Sequence, residues 1–200
     1  MVRKAALRVL VVEDEAMVLM GFKTFLHELG HIVIGEAYDG AMAVELAQRL
    51  KPDLILMDVS MPKLDGIRAL KSIHDAGILC PCVFITAYSE DELLKRAVDE
   101  GAYGYLVKPI TIDGLKAAIE VALKKFEEYS AMQDELKDMQ EKLEVRKLIE
   151  RAKGILMDEF GFKEQQAMDY LQKKSRNSNK KVSEIARELI RMNGVIGNEQ

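Results

Sequence analysis

The sequence predicts an α/β fold, a parallel sheet of five strands flanked by helices, followed by a long helix and a small all-α unit. Three observations predict it. Short apolar runs alternate with amphipathic helical stretches from Leu7 to Val107, the pattern of a sheet buried on both faces. Most of these runs stop abruptly at a polar residue, at Glu13, Asp58, Thr86 and Lys108 in turn. Beyond Thr111 the strand signal disappears and a helical composition dominates. The 200 residues, 48% hydrophobic and 31% charged, suffice for one good core and a smaller second unit, and no stretch reads as a membrane span.

Leu7 to Val12 is the first strand. Met1-Val2-Arg3-Lys4 ahead of it imitates a signal peptide, but Arg8 interrupts the apolar run and Glu13-Asp14-Glu15 closes it. Met17 to Leu29 carries Leu19, Phe22, Phe25, Leu26 and Leu29 at helical spacing and ends at Gly30. Ile32 to Ala37 is a strand, Asp39 caps a helix reaching about Leu50, and Leu54 to Met57 is the third strand. Ile67 to Ala76 is a helix closed by Gly77, and Cys82 to Thr86 is the fourth strand. Ser89 with Glu92 forms a capping box for a helix that stops at Gly101, and Tyr103 to Val107 is the fifth strand. Cys80 and Cys82 flank a proline in a geometry poor for a disulfide and are too few for zinc, which fits a reduced cytosolic setting. His27, His31 and His74 show no catalytic spacing.

Parallel strands bring Glu13, Asp14 and Asp58 to the carboxyl edge of the sheet, where open α/β sheets bind ligands. Three crowded carboxylates raise one another's pKa unless a cation intervenes, and an oxygen-only set suits a hard ion such as Mg²⁺. Thr86 and Lys108 end strands of the same sheet. Taken singly, these residues have plainer readings. An Asp at a strand end commonly caps a helix, Asp65-Gly66 is an ordinary turn, and an aromatic such as Tyr105 in a strand is usually packing.

Taken together, Glu13-Asp14, Asp58 with Met61-Pro62 and Asp65-Gly66, Thr86-Ala87 and Lys108-Pro109 resemble the receiver domain of two-component response regulators, over about residues 5 to 125. The resemblance implies a flavodoxin-like sheet ordered 2-1-3-4-5 and a cis peptide before Pro109. It implies that Asp58 is the phosphoacceptor, taking a phosphoryl group from a phosphohistidine on a sensor histidine kinase. Mg²⁺ would be held by Asp14, Asp58 and the backbone carbonyl of Ser60, with Glu13 acting through water. Lys108 would add a second cation, the Thr86 hydroxyl would follow a phosphoryl oxygen, and Tyr105 would swing inward as a switch. Such a protein is no enzyme in the ordinary sense, since it catalyses only its own aspartyl phosphorylation and dephosphorylation.

Residues 1 to 140 hold 16 Lys or Arg against 23 Asp or Glu, whereas 141 to 200 hold 13 against 10. The basic tail hints at a polyanionic partner, although so mild an excess, taken alone, is better explained by a solvated helix face. Between Ile112 and about Glu159 only Gly114 and Gly154 interrupt a helical composition, which predicts one helix, or two joined end to end, of roughly 70 Å. Within it Tyr129, Met132, Leu136, Met139 and Leu143 step by three and four. That coiled-coil seam predicts a homodimer, against the plainer reading of a helix packed on its own domain.

The run from Arg146 to Met157, with Ala152-Lys153-Gly154-Ile155-Leu156-Met157 at its end, resembles the opening of the ANTAR domain, a three-helix RNA-binding antiterminator module. Gly161, Ala167, Leu171, the connection at Ser175 and Asn179, and then Val182, Ile185 and Ala186 extend the resemblance over about residues 142 to 195. Gln172 departs from it where an arginine is more usual. Candidate RNA contacts are Arg146, Arg151, Lys153, Lys173, Lys174, Arg176, Asn179, Lys180 and Lys181, with Arg151 and Lys153 foremost. They offer charge for phosphates and an amide for unpaired base edges, although a polar run between helices also serves as a solvated turn. Phe160, Phe162 and Tyr170 are read as small core rather than as stacking platforms for bases, because a module this small needs large apolar groups to hold together.

The predicted organisation is a receiver at 1–125, a helical coiled-coil linker at 126–141 and a three-helix RNA-binding domain at 142–200. The predicted function is that of a phosphorylation-dependent response regulator that binds hairpin RNA as a transcription antiterminator. It would be cytoplasmic, a phosphorylation-favoured homodimer, with no membrane partner. A DNA-binding response regulator is the rival class, weakened because Ser183 to Arg191 commits Ile185, Ala186, Leu189 and Ile190 to packing. A receiver whose helical tail binds protein is the third.

Overall fold

The computed structural model describes residues 6–87 and 102–196, with side chains to residue 193. Five strands, β1 (Arg8–Val12), β2 (Ile32–Ala37), β3 (Leu54–Asp58), β4 (Cys82–Thr86) and β5 (Gly104–Val107), form one parallel sheet in the order β2-β1-β3-β4-β5. Helices α1 (Ala16–Glu28), α2 (Gly40–Leu50) and α3 (Gly66–Asp75) connect the strands. Then come α4 (Ile112–Phe160), α5 (Glu164–Ser178) and α6 (Val182–Ile196). The helix predicted between Ser89 and Gly101 lies outside the described residues.

The alternation of side chains along each strand explains why the central strands β1, β3 and β4 are apolar between their ends, whereas the edge strands β2 and β5 are only partly buried. Leu10, Val12, Ile55, Met57 and Phe84 point to one face and pack with Ala43, Leu46 and Ala47 of α2 and Ile67, Leu70 and Ile73 of α3. Val9, Val11, Leu54, Leu56, Val83 and Ile85 point to the other, where Leu19, Phe22 and Leu26 of α1 and Leu115, Ile119 and Ala122 of α4 cover them. Neither face can be left to water. Cys80 and Cys82 are free thiols inside this core, and burial pushes Cys80 up to about 12.

Local chemistry sets the helix starts. Asp39 caps α2 by accepting from the Met42 amide at 2.8 Å, and Asp65 caps α3 by accepting from Arg68 at 2.8 Å. Gly66 follows because nothing larger fits. A Cβ there would stand 2.1 Å from the carbonyl oxygen of Asp58, and the Gly66 amide donates to the Val59 carbonyl at 3.0 Å. The turn after β3 is thereby pressed against the end of that strand.

The chain divides into two compact units at Ser130 and Ala131. In the second, Ala152 and Leu156 of α4, Ala167 and Leu171 of α5 and Ile185 and Ala186 of α6 form a separate core. Gly114 and Gly154 do not break α4, which runs as one helix of 49 residues. Ser175 lies inside α5 rather than in the connection after it. Its hydroxyl is satisfied by the Lys180 carbonyl, and Asn179 alone ends the helix, in the left-handed region at φ 54°.

Gly66→Ala is expected to destabilise the receiver by about 1–3 kcal/mol, the usual cost of overpacking. Denaturant unfolding measures it, and an unchanged midpoint would refute the close-approach account.

Candidate functional site

Backbone hydrogen bonds that extend the sheet hold the polar residues at its carboxyl edge. The Glu13 amide donates to the Ala37 carbonyl at 3.0 Å, Val59 to Ile85 at 3.0 Å, and Lys108 to Thr86 at 2.9 Å. Asp58, between Met57 and Val59, is thus fixed from both sides. The Lys108–Pro109 peptide is cis.

At this edge Lys108 Nζ lies 2.8 Å from Asp58 Oδ2 and 3.2 and 3.0 Å from the two oxygens of Glu13, with Glu15 Oε1 at 3.9 Å. The other oxygen of Asp58 accepts from the Ser60 amide at 3.0 Å. Glu13 is fully buried. Burial, reinforced by the neighbouring Asp58, raises its pKa to about 7 against the pull of Lys108. Burial also opposes the charge on Lys108, but the hydrogen bonds to Asp58 and Glu13 outweigh it and hold its pKa above the ordinary value.

These residues fit a divalent cation. Carboxylate oxygens of Glu13, Asp14 and Asp58 lie within 4.8 Å of one another, with Asp14 on the solvent side. Glu13 Oε2 is buried without a hydrogen bond: Lys108 is near enough for ion pairing, but not aligned to donate to it. An orphaned buried oxygen beside two more carboxylates is a donor set for a hard ion such as Mg²⁺. Ser60 is placed on the same loop, exposed.

Thr86 is buried at the end of β4. Tyr105 pairs in register with Phe84 but is 48% exposed, so its ring stands outside the sheet's core. Sequence reasoning missed the bond between Lys63 and the cap residue Asp39, which ties the loop after Asp58 to the start of α2 and holds the Asp39 carboxyl below the usual range. A contact across 24 positions leaves no local signal in sequence.

In the second unit Arg146, Arg151, Lys173, Lys174, Arg176, Asn179 and Lys181 are exposed. Lys153 is not. It is 8% exposed, with Nζ 2.7 Å from Glu164 Oε1 and 3.0 Å from Glu150 Oε2, and those bonds raise its pKa. Its charge is spent joining α4 to α5, which corrects its placing among the foremost RNA contacts. Lys180 is likewise tied to Glu188. Phe162 and Tyr170 pack beside the small core, but Phe160 is 62% exposed and is not core.

The family model for the response regulator receiver domain matches residues 9–120, and that for the ANTAR domain matches 137–190. The second match begins inside the stretch read from sequence as linker. The transcriptional regulatory protein PdtaR of Mycobacterium tuberculosis is 45% identical over 186 residues, covering 92% of this chain and 90% of that protein. The chemotaxis protein CheY of Bacillus subtilis is 36% identical, covering 58% of this chain and 97% of that protein. Among solved structures, the response regulator domain of Thermotoga maritima CheB superposes with a TM-score of 0.52 at 35% identity, covering 62% of this chain and 96% of that one.

Magnesium is expected to raise the thermal midpoint of the receiver, because it binds the folded carboxylates and not the unfolded chain. At ten times its Kd the gain is about 1.4 kcal/mol, a few degrees. Glu13→Gln should lose most of that gain. In metal-free protein the folded state holds the Glu13 proton up to about pH 7 and the unfolded state only to the ordinary 4.5, so this group's contribution to stability falls as pH rises between them. Calorimetry of wild type and Glu13→Gln across that window checks the sign, and identical slopes would refute it.

Proposed function

The chain belongs to the response regulators, with a receiver domain followed by an ANTAR domain, and on that premise we propose a transcription antiterminator whose binding to hairpin RNA is controlled by phosphorylation of Asp58. The observation that carries this reading is the Asp58 carboxylate at a strand end, bonded to Lys108 at 2.8 Å and crowded by Glu13 and Asp14. Such a carboxylate is held for use as a nucleophile.

An oxygen of Asp58 attacks the phosphorus of a phosphohistidine on a sensor kinase. The O–P bond forms as the P–N bond breaks, and the histidine nitrogen leaves with the electron pair and takes up a proton. Lys108 stays beside the reacting oxygen, its charge held on by Asp58 and Glu13, and can follow a phosphoryl oxygen as negative charge arrives. Thr86, buried at the end of the neighbouring strand, would bond the same group through its hydroxyl. Mg²⁺, when bound, would be held by Asp14, Asp58 and the Ser60 carbonyl, with Glu13 acting through water, and would offset the charge of the incoming oxygens.

The output reaches RNA through the second unit. Tyr129, Met132, Leu136, Met139 and Leu143 are all exposed on α4, which supports a second copy packing along that seam. Two weak RNA sites on one dimer gain avidity, so phosphorylation can regulate RNA affinity without altering the RNA surface. The rival DNA reading needs a recognition helix, whereas α6 buries Ile185 and Ala186 and packs Leu189 and Ile190 beside them. Among the described residues no helix is long and apolar enough to cross a membrane.

Hairpin RNAs and duplex DNA, titrated with and without a small phosphodonor and Mg²⁺ at two salt concentrations, test the proposal. RNA binding should strengthen with the donor, and Asp58→Ala should lose that gain. Preference for duplex DNA would overturn the output reading, and indifference to the donor would overturn the switch.

Replacing Leu136 and Met139 together with Lys should leave phosphorylation intact, hold the protein monomeric in sedimentation, and weaken binding of a two-hairpin RNA on the order of 100-fold. A dimer surviving that change would place the interface elsewhere.

A further inference from the structure

Phe160 is the last residue of α4 and stands 62% exposed at the edge of a small core that could have covered it. It is not isolated. Gly161 turns the chain at φ 67°, and the Gly161 and Phe162 amides close the helix end on the carbonyls of Met157 and Leu156 at 3.2 and 3.3 Å. That turn sets Phe162 edge-to-face against Phe160, with ring centroids 6.5 Å apart, and Tyr170 edge-to-face against Phe162 at 5.8 Å. Lys174, one turn further along α5, holds its ammonium 5.9 Å from the Tyr170 ring centre. Lys173 lies on the same side of α5, three residues from Tyr170, exposed and without an acidic partner among the described residues.

We propose that this Phe160–Phe162–Tyr170 row, flanked by Lys173 and Lys174, is the platform on which an unpaired base of an RNA hairpin loop stacks. This rests on the RNA-binding reading above and assigns its contact surface. A row with an exposed ring at one end, Phe160, and a lysine ammonium at the other, over Tyr170, fits a base with its flanking phosphates, since every base offers a flat face and brings negative charge. An apolar protein partner would have little to grip. Among the described residues around the small core the large exposed apolar side chains are Met157, Phe160 and Met192, and Lys174 borders the aromatic row at Tyr170. The row also separates useful cations from spent ones, because Lys153 and Lys180 are locked to acidic side chains while Lys173 and Lys174 are not.

The test uses the full-length protein with phosphodonor and Mg²⁺, a pool of fluorescent hairpin RNAs with randomised loops, and a second pool carrying 2-aminopurine in the loop. Phe160→Leu, which keeps apolar bulk but loses the flat ring, should weaken binding roughly 10-fold or more and abolish the stacking quench of 2-aminopurine. Phe160→Trp should restore both. Lys173→Gln with Lys174→Gln should instead flatten the salt dependence while leaving the residual quench. Circular dichroism melting of each variant at the wild-type temperature rules out misfolding as the cause. If wild type binds and Phe160→Leu binds as tightly, the platform is overturned and the RNA-binding reading stands. If wild type binds no hairpin, both fall.

Discussion

A buried excess of negative charge at the carboxyl edge of the sheet is the constraint on which the receiver depends. Glu13 and Asp58 are both enclosed, Asp14 stands beside them, and one ammonium, that of Lys108, bonds to the two enclosed carboxylates. Removing one partner from such a cluster leaves charge buried and uncompensated, which is far costlier than losing an exposed pair. The fold is arranged to keep the partners in place. Three parallel strands end together, each backbone is hydrogen-bonded one step beyond its last side chain, and Gly66 lets the next turn close down on Asp58.

That arrangement leaves the site poised rather than satisfied. One Glu13 oxygen is buried without a hydrogen bond, and its carboxyl is pushed to about 7. On the proposed function, a bound cation would offset the negative charge that Lys108 alone leaves uncompensated, including that brought by the phosphoryl group. On that reading, the cost of leaving a Glu13 oxygen buried without a hydrogen bond would be recovered when a cation binds, which would make the site responsive.

Much of this was legible in sequence, for physical reasons. The central strands showed because parallel strands covered on both faces read as continuous apolar runs, and the site showed because those runs end on residues that no core would accept. Asp39 showed because caps select few residue types. What stayed hidden depended on pairing at a distance. Lys153 looked like a free cation because Glu164, eleven positions on, becomes its partner only after α5 folds back. Phe160 looked like core because composition cannot tell which large apolar residue a small core leaves outside. Lys63 gave no sign of its bond to Asp39 for the same reason.

The seam along α4 shows how a switch and a weak interface suit each other. Continued at its own spacing, the pattern meets Lys125 on one side and Arg146 and then Glu150 on the other, so the apolar stripe is confined to Tyr129 through Leu143. Two of its five positions are methionine, a flexible side chain that packs without specifying strongly. A longer zipper would hold two copies together whatever the state of Asp58, and phosphorylation would then have nothing to shift. On the proposed function, a seam of about two heptads would leave association near balance, where a change of only ~1.4 kcal/mol moves the equilibrium constant tenfold. On the proposed function, the shortness of the seam is therefore what allows a single phosphoryl group on the receiver to decide whether two RNA-binding units act as one.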